Sequence, residues 1–204
     1  MPYKLLQYNL IPFLRAQVQL HGTEHLLSEP FILAANHQSW IDSALIIASL
    51  NRFLHHRLHF IAASRKYSFL GTIPIDSVHK EWTIQRALEV LRGGEAVGIF
   101  PEGNSNETST LRRGKTGVAR LALATGLPVL PLGVKGPTGT TFWQATWNFF
   151  THYRPWSFTL GAPLQFDKVP EDQWTKDLLQ STTDQIMAAI APLSGKPTAP
   201  LSPR

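Results

Sequence analysis

Phe31-Ile32-Leu33-Ala34-Ala35-Asn36-His37-Gln38-Ser39-Trp40-Ile41-Asp42 is the stretch on which the reading of this chain turns. Its first five residues are a short apolar run of the kind that forms a buried strand. Downstream, Ile41, Ala44, Leu45 and Ala48 recur at i, i+3, i+4 and i+7, the inner face of a helix. The chain therefore passes from strand to helix with His37 in the turn. Five residues of regular helix rotate by about 140°, so His37 and Asp42 would diverge if both were helical. With His37 ahead of the first helical residue its ring can fold back toward Asp42, and a His oriented by an Asp is a general base. Ser39-x-x-Asp42 before an apolar run is equally a capping-box pattern. The stretch alone leaves both readings open.

The whole chain of 204 residues is the size of one domain, long enough to bury a core without staples. It has no cysteine, which removes disulfides, thiolate metal sites and Cys nucleophiles. Any nucleophile is an oxygen or belongs to the substrate. The net charge is +5 and the pI about 9.7, yet only 16% of residues are charged, a mild basic surplus rather than a polycationic arm. The lysines and arginines are dispersed and carry no DNA- or RNA-binding signature, so no nucleic-acid partner is expected.

Met1-Pro2-Tyr3-Lys4 lacks the regions of a signal peptide, and no apolar run reaches the ~18 residues of a membrane span. Tyr3, Leu6, Leu10, Phe13 and Leu14 share one side of a helical wheel, so residues 1–15 read as an amphipathic segment. That stripe suits a lipid surface or the protein's own core equally, with Pro12 splitting the helix.

Beyond the first motif, strands are expected at Leu58 to Ala63, briefly at Gly71 to Asp76, and at Ala96 to Phe100. Others fall at Leu127 to Val134, with Pro128 and Pro131 at ladder ends or gaps, and at Ser157 to Leu160. Ile84, Ala87, Leu88 and Leu91 make a helical face stopped by Gly93-Gly94, and Val118, Leu121, Ala122 and Thr125 make another stopped by Gly126. A last helix should begin after Pro170 with Glu171 and Asp172. Strands alternating with helices imply an α/β domain built on a mixed, mostly parallel sheet flanked by helices. Thr140 to Pro155 is aromatic-rich without periodicity, suited to core or to a membrane-facing patch. The Pro- and Ser-rich residues 194–204 read as a disordered tail.

Several motifs fail on spacing. Gly114-Lys115-Thr116 ends like a P-loop, but the position of the earlier glycine holds Ser109. Gly103-Asn104-Ser105-Asn106-Glu107 lacks the second glycine of a nucleophile elbow. His55, His56 and His59 have no carboxylate at metal-ligand spacing, and no metal is expected.

Asn36-His37-Gln38-Ser39-Trp40-Ile41-Asp42 and Phe100-Pro101-Glu102-Gly103, in that order, resemble the glycerolipid acyltransferase family, which includes the 1-acylglycerol-3-phosphate acyltransferases. Family members carry His-x-x-x-x-Asp, Gly-x-Ile-x-Ile-Asp-Arg, Phe-Pro-Glu-Gly-Thr-Arg and Val-Pro-x-x-Pro. Here these correspond to His37 with Asp42, Gly71 to Ser77, Phe100 to Ser105, and Leu127 to Pro131. The resemblance covers most of the chain and makes residues 16–193 the acyltransferase domain.

The resemblance implies transfer of a fatty acyl group from an acyl thioester, acyl-CoA or acyl-carrier protein as co-substrate, to a lysophospholipid hydroxyl, with no cofactor. His37 and Asp42 would be catalytic. Glu102, Gly103 and Asn104 would bind the acceptor. A cytoplasmic protein held peripherally on the membrane surface is expected, through the N-terminal stripe and the aromatic segment from Phe142 to Phe150. The chain departs from the family where Ser77 and Ser105 replace the arginines linked to the acceptor phosphate. Arg112, Arg113 and Lys115 stand in or after the same loop, either as substitute phosphate ligands or as solvated loop charges. A non-phosphate acceptor, or an inactive lipid-binding protein on the same fold, are the alternatives.

Overall fold

The computed structural model describes residues 18–62, 72–76, 78–139, 141, 143, 144, 147, 151 and 156–198. The amphipathic segment expected at 1–15, together with Gly71, Ser77, Phe142, Phe149, Phe150 and Tyr153, lies outside them. Seven strands form one sheet: β1 (Val18–His21), β2 (Ile32–Ala35), β3 (Leu58–Ala62), β4 (Ile73–Pro74), β5 (Ala96–Ile99), β6 (Val129–Lys135) and β7 (Trp156–Leu160). Their order across the sheet is β1-β7-β6-β2-β5-β3-β4, and β6 with β7 is the antiparallel pair in an otherwise parallel ladder. Of the helices bounded within the described residues, four cover it: α1 (Asp42–Leu50), α2 (Lys80–Arg92), α3 (Gly117–Thr125) and α4 (Lys176–Ser194). This is the α/β architecture that the alternation of patterns implies.

The apolar run in β2 is continuous because the strand is buried on both faces. Leu33 and Ala35 join Phe31, Phe60, Leu130, Leu132, Trp156 and Phe158 in a core that Leu45, Ile46 and Leu50 of α1 close. Ile32 and Ala34 point the other way, into a second core with Val97, Ile99 and Val129 of the sheet. Leu88 and Leu91 of α2, Val118 and Leu121 of α3, and Ile186 and Ile190 of α4 cover that core. Each such large side chain, fully removed from water, contributes about 1.5–3 kcal/mol before entropy is counted.

Pro131 sits inside β6, opposite Gly161, which follows the last residue of β7 and donates its N–H to the Pro131 carbonyl at 2.9 Å. The missing proline donor therefore falls where the β6–β7 ladder ends. Gly133, further along β6, lies directly against Leu193 near the end of α4. A Cβ there would lie 2.2 Å from the Leu193 carbonyl carbon.

Three sequence expectations change. β1 was not foreseen: it is a four-residue strand with alternating burial at the sheet edge, beside β7. After Pro170 only a single 3₁₀ turn forms, at Glu171–Gln173. The helix proper starts at Lys176, where Thr175 is the N-cap and its hydroxyl accepts the Leu178 N–H at 3.1 Å. The tail does not begin at residue 194: Ser194 closes α4, Lys196 is buried, and Thr198 pairs with Leu111.

Candidate active site

β2 and β5 are parallel neighbours, with Ala34 beside Ile99. The turns that follow them, one carrying His37 and the other Glu102, therefore emerge side by side at the carboxyl edge of the sheet, where open α/β folds place their sites. Asn36 sets the exit from β2. Its buried side-chain amide donates to the Val134 carbonyl at 3.0 Å and accepts the Val134 N–H at 2.6 Å. The side chain thus takes the hydrogen bonds that the next peptide of a strand would make with β6, and frees the backbone to turn at His37.

Asp42, the first residue of α1, is fully buried. Its Oδ2 accepts from the Gln38 N–H and the Ser39 N–H, each at 2.7 Å, and lies 3.0 Å from His37 Nδ1. The bond to Ser39 N–H has the form of the carboxylate half of a capping box, but it lies in the turn ahead of α1, whose N-cap is Ile41. The other half is absent, since the buried Ser39 hydroxyl has no hydrogen-bond partner among the described residues. The turn N–H groups and the imidazole are thus served by one oxygen. A carboxylate that receives two N–H groups is an acceptor toward the ring as well, so Nδ1 carries the proton and donates. In the neutral imidazole that leaves Nε2 as the proton acceptor. The His37 side chain is 18% exposed, enough to meet a substrate.

The ring plane is set by Phe100, stacked on His37 with centroids 4.0 Å apart and an interplanar angle of 9°. Phe100 rests in turn on Phe60, 5.0 Å between centroids. Gly98 makes room for Phe60, because a Cβ there would fall 2.5 Å from the Phe60 ring.

Glu102 is buried, 3% exposed, and its carboxylate is turned into the protein. Oε1 accepts the His37 N–H at 3.1 Å, and Oε2 accepts from Asn106 Nδ2 at 2.6 Å and from the Arg112 N–H at 3.0 Å. The Asn106 N–H closes the circuit on the His37 carbonyl at 2.7 Å. Both backbone groups of His37 are therefore tied to the Glu102 loop. Asn36, Phe100 and Asn106 hold the site together, and their spacing to His37 and Asp42 gave no local signal of it.

Gly103 turns the chain with φ of 79°, and the Lys115 side chain lies across it, Nζ falling 2.3 Å from where a Cβ would be. Lys115 is pinned there by its own N–H, which donates to the Pro101 carbonyl at 2.8 Å. Asn104, Arg112, Arg113 and Lys115 are exposed and Ser105 half-buried. Arg112 reaches Glu102 through its backbone. The Arg113 side chain makes no hydrogen bond or ion pair among the described residues.

The fold and site define an α/β protein whose His–Asp pair and buried Glu meet at the carboxyl ends of neighbouring parallel strands. The chain belongs to the family described as Acyltransferase, whose model matches residues 17–135, more than half of its length. A 1-acyl-sn-glycerol-3-phosphate acyltransferase of Bacillus subtilis is 28% identical over 137 residues, 61% of this chain and 66% of that protein. The chloroplastic 1-acyl-sn-glycerol-3-phosphate acyltransferase BAT2 of Brassica napus is 28% identical over 146 residues, 65% of this chain and 42% of that protein. These matches span less than two thirds of either relative's length. The crystal structure of the 1-acyl-sn-glycerophosphate acyltransferase PlsC from Thermotoga maritima shares the fold, with a TM-score of 0.58 and 17% identity over 96% of this chain and 80% of that one.

Proposed function

We propose that this chain transfers a fatty acyl group from an acyl thioester, acyl-CoA or acyl-carrier protein, to the free hydroxyl of a glycerolipid acceptor, foremost 1-acylglycerol-3-phosphate. The observation that carries this reading is the His37–Asp42 contact of 3.0 Å with Nε2 left as acceptor. Nε2 takes the hydroxyl proton as the acceptor oxygen attacks the thioester carbonyl. Asp42 holds the tautomer and stabilises the imidazolium that forms. The C–S bond breaks, and the departing thiolate takes the proton back from Nε2. Because the substrate supplies the nucleophile, no acyl-enzyme forms. Glu102, turned inward, serves by bracing His37 against the loop whose outer surface carries Asn104, Arg112, Arg113 and Lys115 for the acceptor.

Relatives named for 1-acyl-sn-glycerol-3-phosphate support the phosphate-bearing acceptor. Ser105, at the position of a family arginine, favours a second reading in which the acceptor has no phosphate. The protein works at a membrane surface, which exposed Trp143 and Trp147 support; no helix among the described residues is long and apolar enough to cross a membrane. The test is acyl transfer by the purified chain, with acyl-CoA and acyl-carrier protein as donors and a panel of lysolipids. Transfer to lysophosphatidate above all other acceptors is expected. Lipid binding without transfer from either donor would leave an inactive lipid-binding protein.

A further inference from the structure

Lys196 lies beyond the family match, in the segment after α4, yet it is only 9% exposed. Gly195, left-handed with φ of 69°, ends the helix and turns the chain back toward the sheet edge. The segment then runs beside the end of the loop that follows Glu102. The Leu111 N–H donates to the Pro197 carbonyl at 2.8 Å, and Thr198 bridges Leu111 in parallel register. The Lys196 N–H is held by Ser194 Oγ at 3.3 Å, and its Nζ donates to the Asn106 carbonyl at 3.0 Å. Asn106 is the residue that grips both the His37 carbonyl and Glu102 Oε2.

An ammonium withdrawn from water is costly unless its charge is answered. Burial lowers the Lys196 pKa, and Glu102 and then Asp42 draw it back up. Those two carboxylates are themselves buried. With His37 neutral, Lys196, Glu102 and Asp42 sum to one negative charge. That charge receives the imidazolium when the acceptor proton arrives. Without Lys196 the same interior holds two negative charges and a looser loop.

We propose, on the reading of this site as one for acyl transfer, that Lys196 is a positioning residue: its ammonium fixes Asn106 behind His37 and offsets the buried Glu102 and Asp42. The C-terminal segment is then part of the active site rather than an appendage. The role predicts loss of turnover more than of donor affinity, because Lys196 acts through the geometry of His37 and touches no substrate.

The test uses the absence of cysteine from the chain. Lys196→Met, which keeps length and packing but not charge, should lower kcat by about 10- to 100-fold, within the span of a mispositioned general base. The KM for the thioester should move less than threefold. Amide exchange at Asn106 and Leu111 should quicken. Lys196→Cys should be equally impaired, and aminoethylation of its single thiol in denaturant, followed by refolding, restores an ammonium at nearly the same reach. Recovery of kcat is the expected result. Wild-type kcat in Lys196→Met, or an aminoethylated protein no faster than its unmodified parent, would overturn the proposal. If Lys196→Met does not fold, the Lys196→Cys pair makes the same comparison. If the wild-type chain transfers no acyl group, it is the functional reading that fails. The clamp is then judged by exchange alone: faster at Asn106 in Lys196→Met supports it, unchanged overturns it.

Discussion

The imidazole of His37 lies flat on the ring of Phe100, 4.0 Å between centroids and 9° from parallel. Stacking fixes the plane of the ring, and the bond to Asp42 fixes its rotation within that plane. Between them they leave Nε2 one direction to face. His37→Ala should therefore fold and lose acyl transfer by about 10²–10⁴-fold, the weight of a positioned general base. Asp42→Asn should lose rate with little change in acceptor KM, since Asp42 orients the ring and touches no acceptor. Steady-state kinetics beside thermal unfolding checks both. Near-wild-type turnover in His37→Ala with an unaltered melting curve would remove the base from the mechanism.

Gly98→Ala tests whether the support behind Phe100 matters. The added methyl would meet the Phe60 ring at 2.5 Å, so Phe60 has to shift, and Phe100 rests on Phe60. Overpacking of this kind costs about 1–3 kcal/mol. Denaturant unfolding should show that loss, together with a fall in kcat at temperatures where the variant is still folded. A variant that is destabilised and fully active would show that the ring stack does not set the base.

The strand–turn–helix around His37 was legible because β2 is buried on both faces, which writes a continuous apolar run, and because Ile41, Ala44, Leu45 and Ala48 keep a helical spacing into α1 even though Leu45 to Leu50 are all buried. The meeting of His37 with Glu102 is set by the topology, since β2 and β5 are parallel neighbours that end at the same edge. What escaped was carried by long-range contacts. Asn36 pairs with Val134, far along the chain, and Lys196 reaches Asn106 from a stretch whose Pro and Ser content reads as disorder. β1 escaped because a short edge strand with alternating burial has too few apolar residues to stand out. The helix after Pro170 was placed early because acidic residues suit any helix start, and Thr175 is the one that caps it.

Membrane attachment should depend on the exposed indoles. Trp143 and Trp147 are 79% and 69% exposed, an arrangement that water disfavours and a bilayer interface favours. The basic surplus adds attraction of about 1 kcal/mol for each cation close to an anionic surface. Co-sedimentation with anionic vesicles should weaken as salt rises and several-fold in a Trp143→Ala, Trp147→Ala double variant. Removal of residues 1–15 should weaken it further. A protein left in the supernatant at low salt would rule out this attachment.

His56 should make stability fall in mild acid. Burial lowers its pKa from the ordinary 6.5, with His55 adding in the same direction, while Glu95 and the Ser28 backbone oppose. Its ring packs edge-on against Phe31, 5.4 Å between centroids. The folded state thus binds this proton less readily than the unfolded chain. The stability contribution is complete above about pH 6.5 and is lost as pH falls through the lower, folded-state value. Urea unfolding at pH 7.5 and 5.0 should show a smaller acid loss in His56→Gln than in the wild type. Equal losses would place the acid sensitivity elsewhere.

Substitution of Lys115 should affect recognition of the acceptor headgroup more than substitution of Arg113. Lys115 lies over Gly103, one residue from Glu102, and its backbone is anchored to Pro101, whereas nothing among the described residues draws the Arg113 side chain to that turn. A hydrogen bond from a cation to phosphate contributes roughly 1.5–3 kcal/mol. Lys115→Ala should therefore raise the KM for lysophosphatidate by about tenfold or more, and Arg113→Ala by less. Neither should alter transfer to an uncharged monoacylglycerol, which has no phosphate to lose. The decisive quantity is the ratio of kcat/KM for lysophosphatidate to that for monoacylglycerol, in the wild type and in Lys115→Ala. A high ratio that collapses in the variant assigns phosphate recognition to Lys115 in place of the arginine that Ser105 replaces. A wild-type ratio near one would mean that the loop cations do not select phosphate, and that the half-buried Ser105 lines a pocket for a neutral headgroup.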